Sequence, residues 1–417
     1  MAPMTADRDI VRDLAADLAE IGARPEQEEK IEGWKRCNGL KPHRPMLWIT
    51  EIPWGEFEDD VDELKAQCTD TRLRQLEKGL RRQLFSARHL PCDEVVEPVF
   101  LVPMKIDGAG YGVAVREQQI KQEGGSYIQS HHYEPTIAEP VDVEKIQMPQ
   151  VRYDEDATLA NKAFVEELLG DLLPVELAGP RQHFFPAWDQ LVRWTGVTEA
   201  LTDLVMRPDF IHAIMRRMTD AMLARMTQMQ EQGLLDGGHA LARVGSGAAS
   251  YTDELPQDGF DPAHVRLCDQ WGGATAQIFG EVSPAMHDEF ALQYENEIMS
   301  RCGLNYYGCC EPLENKMHLM AKVPNLRKIS ISPWCDVAGA VENADRKYVF
   351  SHKPSPAILA EDNFDVDRAE QDIRARIERS GDMPCEFIMK DISTVRGDVD
   401  RVIAWCEMAY RVVREHE

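Results

Sequence analysis

The sequence predicts an α/β protein, a (β/α)8 TIM barrel with an N-terminal helical extension and a long loop and hairpin insertion. Three observations predict it. From residue 149 onward, short apolar runs bounded by loops alternate with amphipathic helical stretches, the pattern of a parallel sheet buried on both faces. No glycine-rich turn follows the first strand candidate, as a doubly wound open sheet would require, so the closed barrel is preferred. An apolar share of 43% over 417 residues is ample for a large core built as one unit.

The elements follow in order. Ile10, Val11, Leu14, Leu18 and Ile21 recur at helical spacing, so residues 1–43 are expected to form a helical extension on a barrel spanning 44–417. RPMLWITEIPW (44–54) reads as a buried strand ended by Pro53, and a charged helix follows across 60–88. EPVFLVPMKI (97–106) is a second strand candidate. Residues 107–150 are rich in Gly, Pro and polar side chains and read as an inserted loop, with a hairpin suggested by the alternation in 111–115. Further strands are expected at 173–178, 240–244, 265–270, 304–309, 326–332, 347–351 and 386–390. Amphipathic helices lie between them, among them 208–232, 284–302 and 366–380. Nine candidates compete for eight places, so one is misplaced or belongs to the hairpin.

A formal net charge of −26 repels phosphate backbones and anionic lipid heads, which argues against nucleic-acid and membrane partners. No apolar run is long enough to cross a bilayer, and the charged N-terminal stretch has no apolar signal core, so a cytoplasmic location is expected. The ten cysteines are then expected as free thiols, most of them buried.

A barrel carries its active site at the C-terminal ends of its strands, and the candidates are sought there. In NYYGCCEPLENK (305–316), Cys309 and Cys310 sit at a strand end with Glu311 beside them and Tyr307 before. Thiolates of this kind suit zinc; the alternative is one core thiol and one pocket thiol without metal. RKISISPWCDV (327–337) brings Cys335 to the next strand end, as a third ligand or as a thiol packed under Trp334. VFSHKPSPA (349–357) offers His352 and Lys353, the histidine as ligand, general acid or hydrogen-bond donor. Lys390 and Asp391 end the last strand, as an ion pair or as catalytic groups. Asp269 stands before two glycines in CDQWGG (268–273). Glu51, Trp54 and Glu56 follow the first strand, Trp54 as a wall for a flat substrate or as core. The loop pair His131 and His132 reads as solvated.

The order of segments resembles the uroporphyrinogen decarboxylase superfamily. ELAGPRQHFFPAWDQLVRWTGVTEALTDLVMRPDFIHAIMRRMTDAM is similar to its glycine turn and helix pair, DQWGG…EVSPAMHDEFALQYENEI to its next conserved segment, and YYGCCEP and KISISPWCDV to two later strand ends. The likeness covers roughly residue 174 to the C-terminus. True decarboxylases of the superfamily carry an arginine motif near the N-terminus. The matching stretch here, WITEIPWGEF, is acidic, and Glu51, Glu56 and Glu58 would repel an eight-carboxylate tetrapyrrole. The resemblance therefore implies the corrinoid-dependent methyltransferase and O-demethylase branch. It implies transfer of a methyl group between a small methylated compound, such as an aryl methyl ether, and the cobalamin-type corrinoid of a partner protein, assisted by zinc or an acid. In that branch zinc is held by His-x-Cys and a distant Cys. Cys309 matches the motif cysteine, Tyr307 stands where the histidine would be, and the distant position falls near Lys390 and Asp391. Cys310, Glu311 and Cys335 are the candidate replacement ligands, with His352 as a further one; His352, Asp269 and Glu311 are the expected catalytic groups, and Trp54, Glu51, Tyr307 and Lys353 the expected substrate contacts. The alternatives are a carboxy-lyase with His352 or Lys353 on a smaller carboxylate, and a non-catalytic corrinoid- or tetrapyrrole-binding protein.

Overall fold

The computed structural model describes residues 2–120, 130–237 and 241–416. Among these residues, nine short parallel strands carry the architecture: β1 (Met46–Ile49), β2 (Phe100–Pro103), β3 (Val175–Ala178), β4 (Gln182–Phe185), β5 (Trp271–Ala274), β6 (Leu304–Tyr307), β7 (Leu326–Ile331), β8 (Val349–His352) and β9 (Cys385–Met389). Seven of them form one sheet in the order β1-β9-β8-β7-β6-β5-β4, and β2 pairs with β3 in a second parallel ladder. The first strand thus lies beside the last, as in a sheet that curls back on itself.

The closed eight-stranded ladder expected from the sequence is not formed among the described residues. No ladder joins β1 to β2, and the free edge of β1 shows why. Asp93 occupies it: its N–H donates to Leu47 O at 2.7 Å, and its carboxylate accepts from Leu47 N at 2.7 Å and from Arg44. A second break falls at Gly179–Pro180–Arg181, between β3 and β4, where proline has no N–H to give a ladder. β3 serves β2 and β4 serves β5, so the two short strands share one place in the round.

Two strand expectations fail. Within 240–244 only an isolated bridge between Arg243 and Ala249 is formed among the described residues. Residues Leu267–Asp269 form a 3-10 turn, and the strand begins later, at Trp271. β4 went unforeseen because QHFF, lying between Pro180 and Pro186, holds only two apolar residues, Phe184 and Phe185. The hairpin falls later too, at Arg116–Ile120 with Ser130–Glu134. His131 and His132 lie in its second strand, their side chains outside the described part.

Helix Val366–Ser380 has the expected bounds, capped by the Asp365 carboxylate on Arg368 N. Helices Ala2–Gly22, Thr71–His89 and Glu155–Leu169 bury Val11, Ala15, Leu18, Leu80, Leu84, Val165 and Leu168 in a side core against β2 and β3. Among the described residues no helix is long and apolar enough to cross a membrane.

The space enclosed by the strands is polar and is filled by a loop. Val244 N donates to Ala248 O, and the turn this closes enters between the strands. A Cβ at Gly247 would meet Tyr306 Cε2 at 2.4 Å and Glu386 Oε1 at 2.8 Å, so only glycine lets the backbone approach so closely. Beneath it Lys328 and Glu386, both fully buried, pair at 2.8 Å. They hold the loop from both sides: Lys328 Nζ donates to Ala249 O at 2.9 Å, and Ala248 N donates to Glu386 Oε1 at 3.0 Å.

Candidate active site at the mouth of the curled sheet

Side chains alternate across a strand, and this parity decides which groups reach the interior. On β7 the sequence KISI places Lys328 and Ser330 inward and leaves Ile329 and Ile331 to the helices. On β6 Tyr306 turns inward and Tyr307 outward; on β8 His352 turns outward, and Lys353 just beyond it turns inward. The inward groups converge. Lys353 Nζ donates to Tyr306 Oη at 2.6 Å and to Ser330 Oγ at 2.7 Å, and it lies 5.3 Å from the Tyr306 ring centre. Ser246, carried in by the loop, stands 3.1 Å from Tyr306 Oη and 3.0 Å from Gly308 O. Ser330 Oγ donates to Cys309 O at 2.5 Å.

Above this cluster β6 ends at Gly308, whose φ of +95° turns the chain over Ser330 and Leu313 and exposes the next two residues. Cys309 is half-buried and Cys310 exposed, their sulfurs 3.6 Å apart. The interaction with Cys310, together with the ammonium charges of Lys390 and Lys353, outweighs burial and draws the Cys309 thiol down to about 7, while the Cys310 thiol is raised. On the facing rim Lys390 contacts Asp391 and lies 3.8 Å from Glu51. Burial opposes ionisation of Glu51, but Arg243 and the Asp391 N–H prevail and hold its carboxyl at about 2. Glu51, Lys353, Cys309 and Cys310 are therefore the expected residues that the mouth brings together.

The others go elsewhere. His352 is fully buried behind β8, with Nε2 2.8 Å from Ser380 Oγ and its ring stacked on Phe387 at 4.9 Å; burial drives its pKa far down, so it stays neutral and away from the mouth. Tyr307 points outward to Glu295, 2.7 Å away, and to His287. Asp269 precedes β5, at the opposite end of the sheet, where it accepts from Arg266 and Gln257 N. Trp54 packs outward on Phe57 and Phe85, under Arg82. Cys335 is buried beside Leu313 and Glu314, and burial pushes its thiol up to about 12. Glu311 is buried and turned back, accepting from Thr275 Oγ1, Ala276 N and Cys309 N.

This donor set does not fit the expected zinc. Among the described residues no three His, Cys, Asp or Glu side chains come together in a metal-holding group. The two sulfurs that do meet face two ammonium groups, whose field opposes a divalent cation. Three groups that matter at the mouth, Tyr306, Ser330 and Ser246, were not among the expected ones. The polar alternation Lys328, Ser330, Ser332 against Ile329 and Ile331 was the signal for one of them.

A cleft of about 870 Å³ lies elsewhere, at the N-terminal ends of β1, β8 and β9 among Arg36, Lys41, His43, Lys347 and Tyr410. That end of a barrel bears on stability and the other on chemistry, so the mouth is the candidate.

No family model matches the sequence, and no curated protein matches it. Among solved structures, the chain is similar to a methyltransferase from Methanosarcina mazei, with a TM-score of 0.51 and 12% identity over 92% of this chain and 98% of that one. At that identity the likeness bears on the fold alone.

Proposed function

We propose that the chain is a methyltransferase of the uroporphyrinogen decarboxylase superfamily. It would work in the cytoplasm on a small methylated donor such as an aryl methyl ether, with its curled sheet acting as a (β/α)8 barrel. The observation that carries the reading is the Lys353 ammonium at the mouth, held by Tyr306 and Ser330, in a fold similar over 92% of the chain to that of a methyltransferase. A corrinoid on a separate protein would supply the methyl-accepting metal. The chain's own part is then to bind, orient and protonate. Tyr306 and Ser246 position the donor oxygen over Lys353. As the methyl–oxygen bond breaks, the oxygen keeps the electron pair and takes a proton from Lys353 Nζ, directly or through Tyr306 Oη. Lys390 adds positive charge across the mouth, and docking of the partner would exclude water.

The test is a panel of methyl ethers, amines and thioethers with reduced corrinoid protein, followed by the absorbance of methylcobalamin. Methylation with at least one donor, lost in Lys353→Met, is expected; no methylation across the panel defeats the reading. The two ammonium groups favour a second reading, a carboxy-lyase gripping a carboxylate, which carbon dioxide release from a carboxylate panel would support.

A further inference from the structure

Cys309 and Cys310 combine three properties that no other cysteine of the described residues shares. Their sulfurs are 3.6 Å apart, the second is exposed to solvent, and both sit on the turn beyond β6. The remaining eight are buried, except Cys268, which is half-buried. The backbone of Cys309 is pinned on both sides, its N–H on Glu311 Oε2 at 2.8 Å and its carbonyl under Ser330 Oγ, so its sulfur is presented at one place. Lys390 and Lys353 face it and favour the thiolate over the neutral thiol as attacking group. Closing a bond needs the sulfurs to approach to about 2 Å, a displacement within the rotamer freedom of an exposed side chain.

We propose that Cys309 and Cys310 form a reversible oxidation site at the barrel mouth, closed to a vicinal disulfide by small disulfide-bearing oxidants. The Cys309 thiolate attacks one sulfur of R–S–S–R, forming a mixed disulfide and expelling RS⁻. The Cys310 thiolate then attacks the Cys309 sulfur and expels the second RS⁻. The protein loses two electrons and two protons, and the oxidant leaves as two RSH. The Cα atoms of adjacent residues are about 3.8 Å apart, closer than disulfides usually allow, so the ring is strained and readily reduced again. The site would withdraw both thiols from the mouth under oxidising conditions, whatever reaction the mouth performs.

The test uses the full chain with 5,5′-dithiobis(2-nitrobenzoate). The native protein is expected to release two nitrothiobenzoate anions rapidly, carry no adduct, and be two hydrogens lighter in a peptide containing both residues; dithiothreitol restores the mass. Cys310→Ser is expected to release one anion and keep one adduct on Cys309. A stable adduct on the native protein, no rapid release, a bond to another cysteine, or loss of two hydrogens in Cys310→Ser would each overturn the proposal. Thiol count and mass read this result independently of methyl transfer, so the two readings fail separately.

Discussion

Replacing Lys328 by Met removes the cation from the centre of the molecule at nearly constant volume. Glu386 then remains fully buried with Ala248 N as its one remaining hydrogen-bond donor among the described residues, while Ala249 O loses the ammonium at 2.9 Å and keeps Asn38 Nδ2 at 3.0 Å. Breaking a buried pair from one side costs about 3–5 kcal/mol, because the surviving charge stays desolvated. For a chain of 417 residues the unfolding entropy is about 0.9 kcal/mol per degree, so a loss of about 4 kcal/mol lowers Tm by roughly 4–5 °C in a single transition. The double variant Lys328→Met, Glu386→Gln removes both charges and keeps a neutral acceptor for Ala248 N. It is expected to be more stable than Lys328→Met by about 2 kcal/mol or more. Urea and thermal unfolding of the three proteins measure this. A Tm change below about 1 °C in Lys328→Met, or a double variant no more stable than Lys328→Met, would refute the argument that the pair anchors the loop.

Three further outcomes are expected. Burial raises the Glu295 carboxyl from 4.5 to about 8, so the folded state keeps its proton where the unfolded state has lost it. Its stabilisation is complete below 4.5 and is lost as pH rises through 8, by at most about 5 kcal/mol; Glu295→Gln should flatten the unfolding profile over that window, and an unchanged slope would contradict the assignment. His352→Asn should cost about 1 kcal/mol through the Ser380 hydrogen bond and leave turnover within about twofold, whereas Lys353→Met should lower turnover at least about 100-fold, measured with equally folded proteins. Gly247→Ala places a methyl group against Tyr306 and Glu386 and should destabilise by about 1–3 kcal/mol in urea unfolding; a neutral result would mean that the loop does not enter the strands.

The alternation of apolar runs and amphipathic helices was legible because burial on both faces of a parallel strand leaves a local mark. β1, β6, β7, β8 and β9 all lie within or against the runs that announced them. The breaks were not legible. Whether Asp93 or β2 takes the edge of β1 depends on hydrogen bonds between residues 46 positions apart, and the failure of 240–244 as a strand depends on where the glycine turn finds room.

At the mouth, the sequence by itself determined which reactive side chains stand at strand ends: Cys309 and Cys310, Lys353, Lys390 and Glu51 all do. Only the tertiary structure decided which neighbour faces inward. His352 and Lys353, like Tyr306 and Tyr307, are adjacent residues, and one step along a strand reverses the direction of the side chain. The sequence shows that one of each pair must point in, but the phase is set by what fills the two sides. Helix Val366–Ser380 gives His352 a partner in Ser380 outside, and Ser330 with Tyr306 receives the Lys353 charge inside.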